Sequence, residues 1–181
     1  MREKYRLIPQ EYYFCVPCAL QIILDRYNIP YPSQKEIASI LDFRKDANLH
    51  KIYPDIGTMV KEGETPGTYI KNLNEEFFDV LKINLREKFI SYKHSDFRDP
   101  LLLTLLVISD FDILTGVSSK VFFSNPEQDT NHIILIEDFK YPNVQVVIPE
   151  LNNSIRKVIN FFHLIKSIET IKDGFWIISK K

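Results

Sequence analysis

The chemistry this sequence offers is centred on two thiols, an amide and an imidazole. Cys15 and Cys18 are its two cysteines, spaced Cys-Val-Pro-Cys. A thiol attacks a carbonyl as the thiolate, and the unpaired N–H groups and dipole of a helix N-terminus favour that anion. Cys15 stands where the pattern turns helical, and Pro17 occupies a position suited to a first helical turn. Gln10, a few residues upstream, is placed to aim its amide at the same point and donate to an oxyanion. A general base is then needed, and an imidazole from a distant strand would supply it. Of the four histidines, His132 fits best, because it opens an apolar run directly after a polar segment. His50 and His94 sit in polar surroundings and are expected to be exposed. His163 falls in an amphipathic stretch and is expected to be structural.

The elements that must position these groups follow from the hydrophobic pattern. An apolar face through Ala19, Leu20, Ile22, Ile23 and Leu24 predicts a helix that stops at Asn28-Ile29-Pro30. Ser33 and Glu36 have the spacing of a capping box and predict a second helix. Turn signals fill residues 43 to 68. A third helix is expected from about Pro66 to Asn84, with Leu73, Phe77, Phe78 and Leu81 inward. Leu101 to Ile108 reads as a buried strand after Asp99-Pro100, and residues 110 to 130 as a long excursion. Asn131 to Ile136 and Val144 to Ile148 read as strands joined at Tyr141-Pro142-Asn143. A helix is expected from about Asn153 to Ile165, and Gly174 to Ile178 as a closing strand. Helices first and mostly antiparallel strands later imply an α+β fold. One domain is expected over residues 1–181, helical to about residue 95 and sheet-rich beyond.

Composition narrows the function classes. The chain has 181 residues, 45% hydrophobic and 13% aromatic, enough to bury one full core. Its formal net charge of −1 is spread evenly, without the basic excess or stripe of a nucleic-acid binder. No run reaches the roughly eighteen apolar residues needed to cross a bilayer, and the N-terminus lacks a signal-peptide core. A cytoplasmic protein with no membrane association is therefore expected. Two cysteines without nearby His or Cys partners make neither a disulfide framework nor a zinc site, and Asp110 and Asp112 lack accompanying ligands. No metal and no cofactor are expected.

The run Ile8-Pro9-Gln10 followed by Cys15-Val16-Pro17-Cys18-Ala19-Leu20 and an apolar helix ending near Tyr27 resembles the bacteriocin-processing, double-glycine-leader peptidases, a bacterial family of papain-like cysteine peptidases. The likeness continues in Tyr31 to Ala38, in Asp55-Ile56-Gly57-Thr58, in Asn131-His132 with its hairpin, and in Gly174 to Ile178. It covers most of the chain in order. It implies a papain-like fold, Cys15 as nucleophile, His132 as base, Gln10 at the oxyanion and a peptide or protein substrate. The sequence departs from the family at three points. Val16 replaces the glycine after the nucleophile, four residues rather than five separate Gln10 from Cys15, and Ile148 stands where the family has its acid. Glu150, Asn152 or Asn153, just past Pro149, would then have to orient the imidazole.

Two other readings share these residues. A papain-like domain that has lost its third catalytic group would bind without reacting. Cys15-Val16-Pro17-Cys18 also resembles the Cys-x-Pro-Cys motif of thioredoxin-like oxidoreductases, with Thr65-Pro66 as that fold's cis-proline.

Overall fold

The computed structural model describes residues 1–64, 66–69, 72–124 and 130–181. Its first helix, α1 (Cys15–Arg26), is buried along Val16 to Leu24, so it runs through the protein rather than over it. Arg26 and Tyr27 close it, and Asn28 takes a left-handed conformation (φ 54°) that an asparagine tolerates. The next helix, α2 (Gln34–Ile40), begins with the capping box expected at Ser33 and Glu36. A small three-stranded sheet, β1 (Phe43–Lys45), β2 (Thr58–Met59) and β3 (Gly67–Thr68), brackets the short helix α3 (Ala47–Ile52). Phe14, Phe43, Leu49 and Ile56 form its own core.

The main sheet has six antiparallel strands: β4 (Leu85–Ser91), β5 (Asp112–Ser118), β6 (Asn131–Lys140), β7 (Asn143–Ile148), β8 (Ile155–Asn160) and β9 (Gly174–Lys180). Their spatial order is β4-β9-β5-β6-β7-β8. Two helices in this half, α4 (Pro100–Ile108) and α6 (Phe161–Thr170), and the single turn α5 (Ser119–Phe122) complete the chain. Strand alternation divides the apolar residues between the two faces of the sheet. Leu85, Leu114, Leu135, Val147 and Ile178 pack under α1 and α2. Ile113, Val117, Ile134, Ile148 and Ile177 pack under α4 and α6. The fold is α+β, with helices on both faces of an antiparallel sheet. Among the described residues, no helix is long and apolar enough to cross a membrane.

Four expectations about local structure change. Leu101 to Ile108 is helical: Asp99 caps the first turn by accepting the Leu101 N–H, Pro100 sits at the first position, and the Thr104 hydroxyl donates to Pro100 O. Those signals outweigh an apolar run that by itself suits either structure. Residues 110 to 130 are not a plain excursion, because β5 is an inner strand with all seven residues buried. Its Asp, Thr and Gly hid it, yet each has a distant partner. Asp112 accepts from Tyr5 and Arg26, Thr115 donates to Gly174 O, and the Gly116 N–H meets Asp173. The helix expected from Pro66 to Asn84 is confined, among the described residues, to a π-helical turn at Asn74–Phe78. The helix expected from Asn153 starts late, because Ile155 to Asn160 pairs with β7, and Asn160 then caps α6. The sheet also draws β4 from the part expected to be helical.

Candidate active site

Cys15 is the first residue of α1, and Phe14 before it provides no side-chain cap. The first N–H groups of the helix are therefore free to face the thiol. Burial pushes the Cys15 pKa up, and this outweighs hydrogen bonding from the backbone of Ile133, of Val16 and of Cys15 itself, which pulls it down. The thiol is thus half-buried and protonated at neutral pH, contrary to a helix-start thiol lowered by the dipole alone. Its contact with Ile133 places it beside β6, one residue from His132.

His132 is the second residue of β6 and pairs across the ladder with Val117. Its ring stands edge-on to Phe123, with centroids 6.2 Å apart. The Nε2 atom lies 2.9 Å from Pro149 O. A carbonyl only accepts, so Nε2 carries the proton and Nδ1 keeps its lone pair. Burial also lowers the His132 pKa, so the ring is neutral at pH 7. No hydrogen bond joins the Cys15 thiol to the imidazole. By strand alternation the imidazole shares the α6 face with Val117 and Ile134, whereas Ile133, whose backbone the thiol contacts, packs on the α1 face. The two groups are therefore close along β6 but leave it on opposite sides.

The loop that follows β7 holds two of the expected residues at once. Pro149 O takes His132, and the adjacent Glu150 O accepts the Gln10 N–H at 2.8 Å. Gln10 is thereby tied one residue from the imidazole's anchor. The buried Oε1 of its side chain has no hydrogen-bond partner among the described residues, which leaves an amide end uncommitted. Glu150 contributes its main chain, and neither its carboxylate nor the exposed Asn152 bonds the imidazole. Ile148, at the family's acidic position, lies fully buried in the core under α6. The orienting role expected of Glu150 or Asn152 is filled by the Pro149 carbonyl.

Sequence reasoning missed the side chains that hold this arrangement. Gln34, buried at the start of α2, accepts the Glu11 N–H at 2.8 Å and donates to Pro9 O at 2.8 Å, clamping both neighbours of Gln10. It also donates to Gln21 Oε1 on α1. Upstream, buried Glu137 accepts the N–H groups of Lys4 and Tyr5 (2.7 and 2.9 Å), and Arg156 bonds both Glu137 and Tyr5 O. Residues 2 to 10 are thus strapped across the sheet and delivered to the site. The signal available beforehand was weak: a glutamine on the inner face of a helix and a glutamate inside an apolar strand.

Cys18 lies one turn along α1, buried, with its thiol donating to Ile8 O at 3.4 Å and 3.8 Å from Ser154 Oγ. Burial raises its pKa to about 12. Thr65, half of the expected cis-proline pair, lies outside the described residues. Asp110 and Asp112 are engaged by Lys4 and Arg26. His163 Nε2 donates to Phe122 O at 3.2 Å, since a carbonyl only accepts.

No family model matches the chain. It is similar to the DNA double-strand break repair helicase HerA of Sulfolobus acidocaldarius, at 30% identity over 101 residues. That stretch covers 51% of this chain and 20% of the helicase, so the chain spans about a fifth of the curated relative it matches.

Proposed function

We propose that the protein is a cysteine-dependent peptidase or acyl transferase in which Cys15 attacks and His132 acts as general base. One observation carries this reading: the thiol at the start of α1 contacts the backbone of Ile133, the residue after His132, whose Nε2–H is fixed on Pro149 O. That bond leaves Nδ1 as the free base. Because burial raises the thiol and lowers the imidazole, both resting groups are neutral. The mechanism requires the imidazole to turn toward the α1 face, so that the proton moves to Nδ1 as sulfur bonds the carbonyl carbon. The carbonyl oxygen then gains charge. The Cys15 N–H is the donor available to receive it, and the Gln10 Nε2–H would be the second, since the unpartnered Oε1 of that side chain can only accept. When the acyl-enzyme forms, the imidazolium returns its proton to the leaving amine, and water or a second nucleophile releases the acyl group. The imidazolium rests on a carbonyl dipole rather than a carboxylate, so its stabilisation is weaker than in a full triad. A peptide or protein is the substrate class that this acyl chemistry and the family likeness favour.

The redox reading has less support. A dithiol exchange motif requires a thiolate-prone attacking cysteine, and burial raises both Cys15 and Cys18. The helicase similarity spans too little of that protein to add a second reading.

Acylation by p-nitrophenyl acetate tests the proposal without a known substrate. A burst of nitrophenolate, with the acetyl group mapped to Cys15 by mass spectrometry, is expected. His132→Ala should slow it about a hundredfold at pH 7.5, the usual share of a general base. Iodoacetamide labelling of Cys15 should keep rising with pH beyond the ordinary thiol range. Acetyl on Cys18, or a burst unchanged in His132→Ala, would overturn the assignment. Absence of any burst would leave the binding module as the better reading.

A further inference from the structure

On the sheet face away from α1, a groove of 690 Å³ runs between α4 and the β4–β9 edge. Its floor is apolar: Ile90, Leu102, Leu106, Phe111 and Ile177. One rim is basic. Arg86 and Lys88 line the groove together with Ile90, and Glu87 between them lines it too, although strand alternation sets its side chain on the α1 side with Leu85 and Phe89. The carboxylate of Glu87 and that of Asp110 have partners of their own. Glu87 accepts from the backbone of Leu73 on the opposite face, and Asp110 is paired with Arg26 and Arg2. The other rim is α4, which contains no charged residue. Its Leu101, Leu105 and Ile108 share one face at i, i+4 and i+7, and are 59%, 54% and 74% exposed.

We propose that this groove docks an amphipathic helix of a partner protein whose polar flank carries glutamate or aspartate. The apolar side of such a helix would cover the stripe on α4 and the floor beside it, and its acids would meet Arg86 and Lys88. Three other occupants fit less well. An extended strand cannot add to β4 along its length, because the Asn74 amide already bonds both Glu87 N (2.7 Å) and Glu87 O (3.0 Å). A second copy contacting through α4 brings a helix with no carboxylate to place against the basic rim. A flat lipid surface would reach the stripe and leave the recessed floor uncovered. The α4 rim packs on β6, but the groove opens on the face of the sheet opposite α1 and Cys15, so docking leaves the thiol's side uncovered.

The probe is a fluorescein-labelled eighteen-residue helical peptide of Leu and Glu in amphipathic order, with a Leu/Lys counterpart, followed by anisotropy. The Glu peptide should bind at least tenfold tighter than the Lys peptide, and more weakly at high salt. Leu105→Asp should weaken binding at least tenfold. Arg86→Glu with Lys88→Glu should reverse the preference between the peptides. All three residues are exposed, so unchanged circular dichroism and an unchanged nitrophenyl acetate burst are expected in each variant. No binding of the Glu peptide, or equal binding by the variants, would overturn the proposal. So would a dimer in light scattering that Leu105→Asp dissolves, which identifies a second copy as the occupant. Co-sedimentation with anionic vesicles that is lost in Leu105→Asp would assign the face to lipid instead.

Discussion

Replacing Ile148 with aspartate places an acid at the position where the resembling family has one, and the structure predicts that it will harm rather than help. Ile148 has no solvent exposure and packs with Ile134, Val146 and Leu164 under α6. Truncating a buried isoleucine costs about 2–5 kcal/mol. A buried polar group without a partner adds about 1–3 kcal/mol. The imidazole cannot relieve this cost through Nε2, because that atom is already bonded to Pro149 O. The new carboxyl would take up a proton instead of remaining charged. A loss of about 4 kcal/mol or more is therefore expected. In a protein of this size that lowers the unfolding midpoint by roughly 8–16 °C. Ile148→Val, which keeps the shape, should cost about 1 kcal/mol. Thermal unfolding at pH 7 and the nitrophenyl acetate burst read both effects. If Ile148→Asp keeps its midpoint within a degree or two and acylates faster, an acid at 148 reaches His132. The assignment of the orienting role to the Pro149 carbonyl would then be refuted.

Two further outcomes follow from buried polar groups away from the site. Glu137→Gln keeps the shape but removes the buried counter-charge of Arg156, leaving only the exposed Glu3, and should cost about 3 kcal/mol in urea unfolding. Although burial opposes it, bonding to Arg156, Gln145 and the N–H groups of Tyr5 and Lys4 holds the Glu137 pKa below its ordinary value. Its contribution is thus present above the unfolded carboxylate pKa and is lost as pH falls through the lower folded value. The acid-side slope of stability against pH should flatten in Glu137→Gln, and an unchanged slope would remove Glu137 from that role. Gly116→Ala would set a Cβ 2.2 Å from Asp173 Oδ2, which now accepts the Gly116 N–H at 2.7 Å. Asp173 is also held by the Trp176 indole, so it cannot yield freely, and a loss of about 2 kcal/mol is expected. A midpoint equal to that of the unaltered protein would show that Asp173 relaxes without cost.

The sequence by itself determined the elements whose signals are local. The stop of α1 near Asn28, the capping box at Ser33, the β6–β7 hairpin and the place of Cys15 at a helix start all follow from capping, turn chemistry and periodicity. These depend on neighbours a few residues apart, so they survive without knowledge of the fold. Only the tertiary structure decided which way the short apolar run at Leu101 folds, since an N-cap and a covering sheet outweigh composition there. It also decided that Asp112 to Ser118 is an inner strand. The charges and hydroxyl that argue against that strand are satisfied by Tyr5, Arg26 and Gly174, all far away in the chain. For the proposed pair, Cys15 and His132 could be named from sequence because side-chain type carries their chemistry. The group that orients His132 was not, because it is a main-chain carbonyl, and every residue has one. Its selection depends on where the loop after β7 passes, which the sequence around Pro149 does not reveal. The thiol's raised pKa has the same origin: the helix start is local, but the burial that outweighs it comes from β6 packing against the helix.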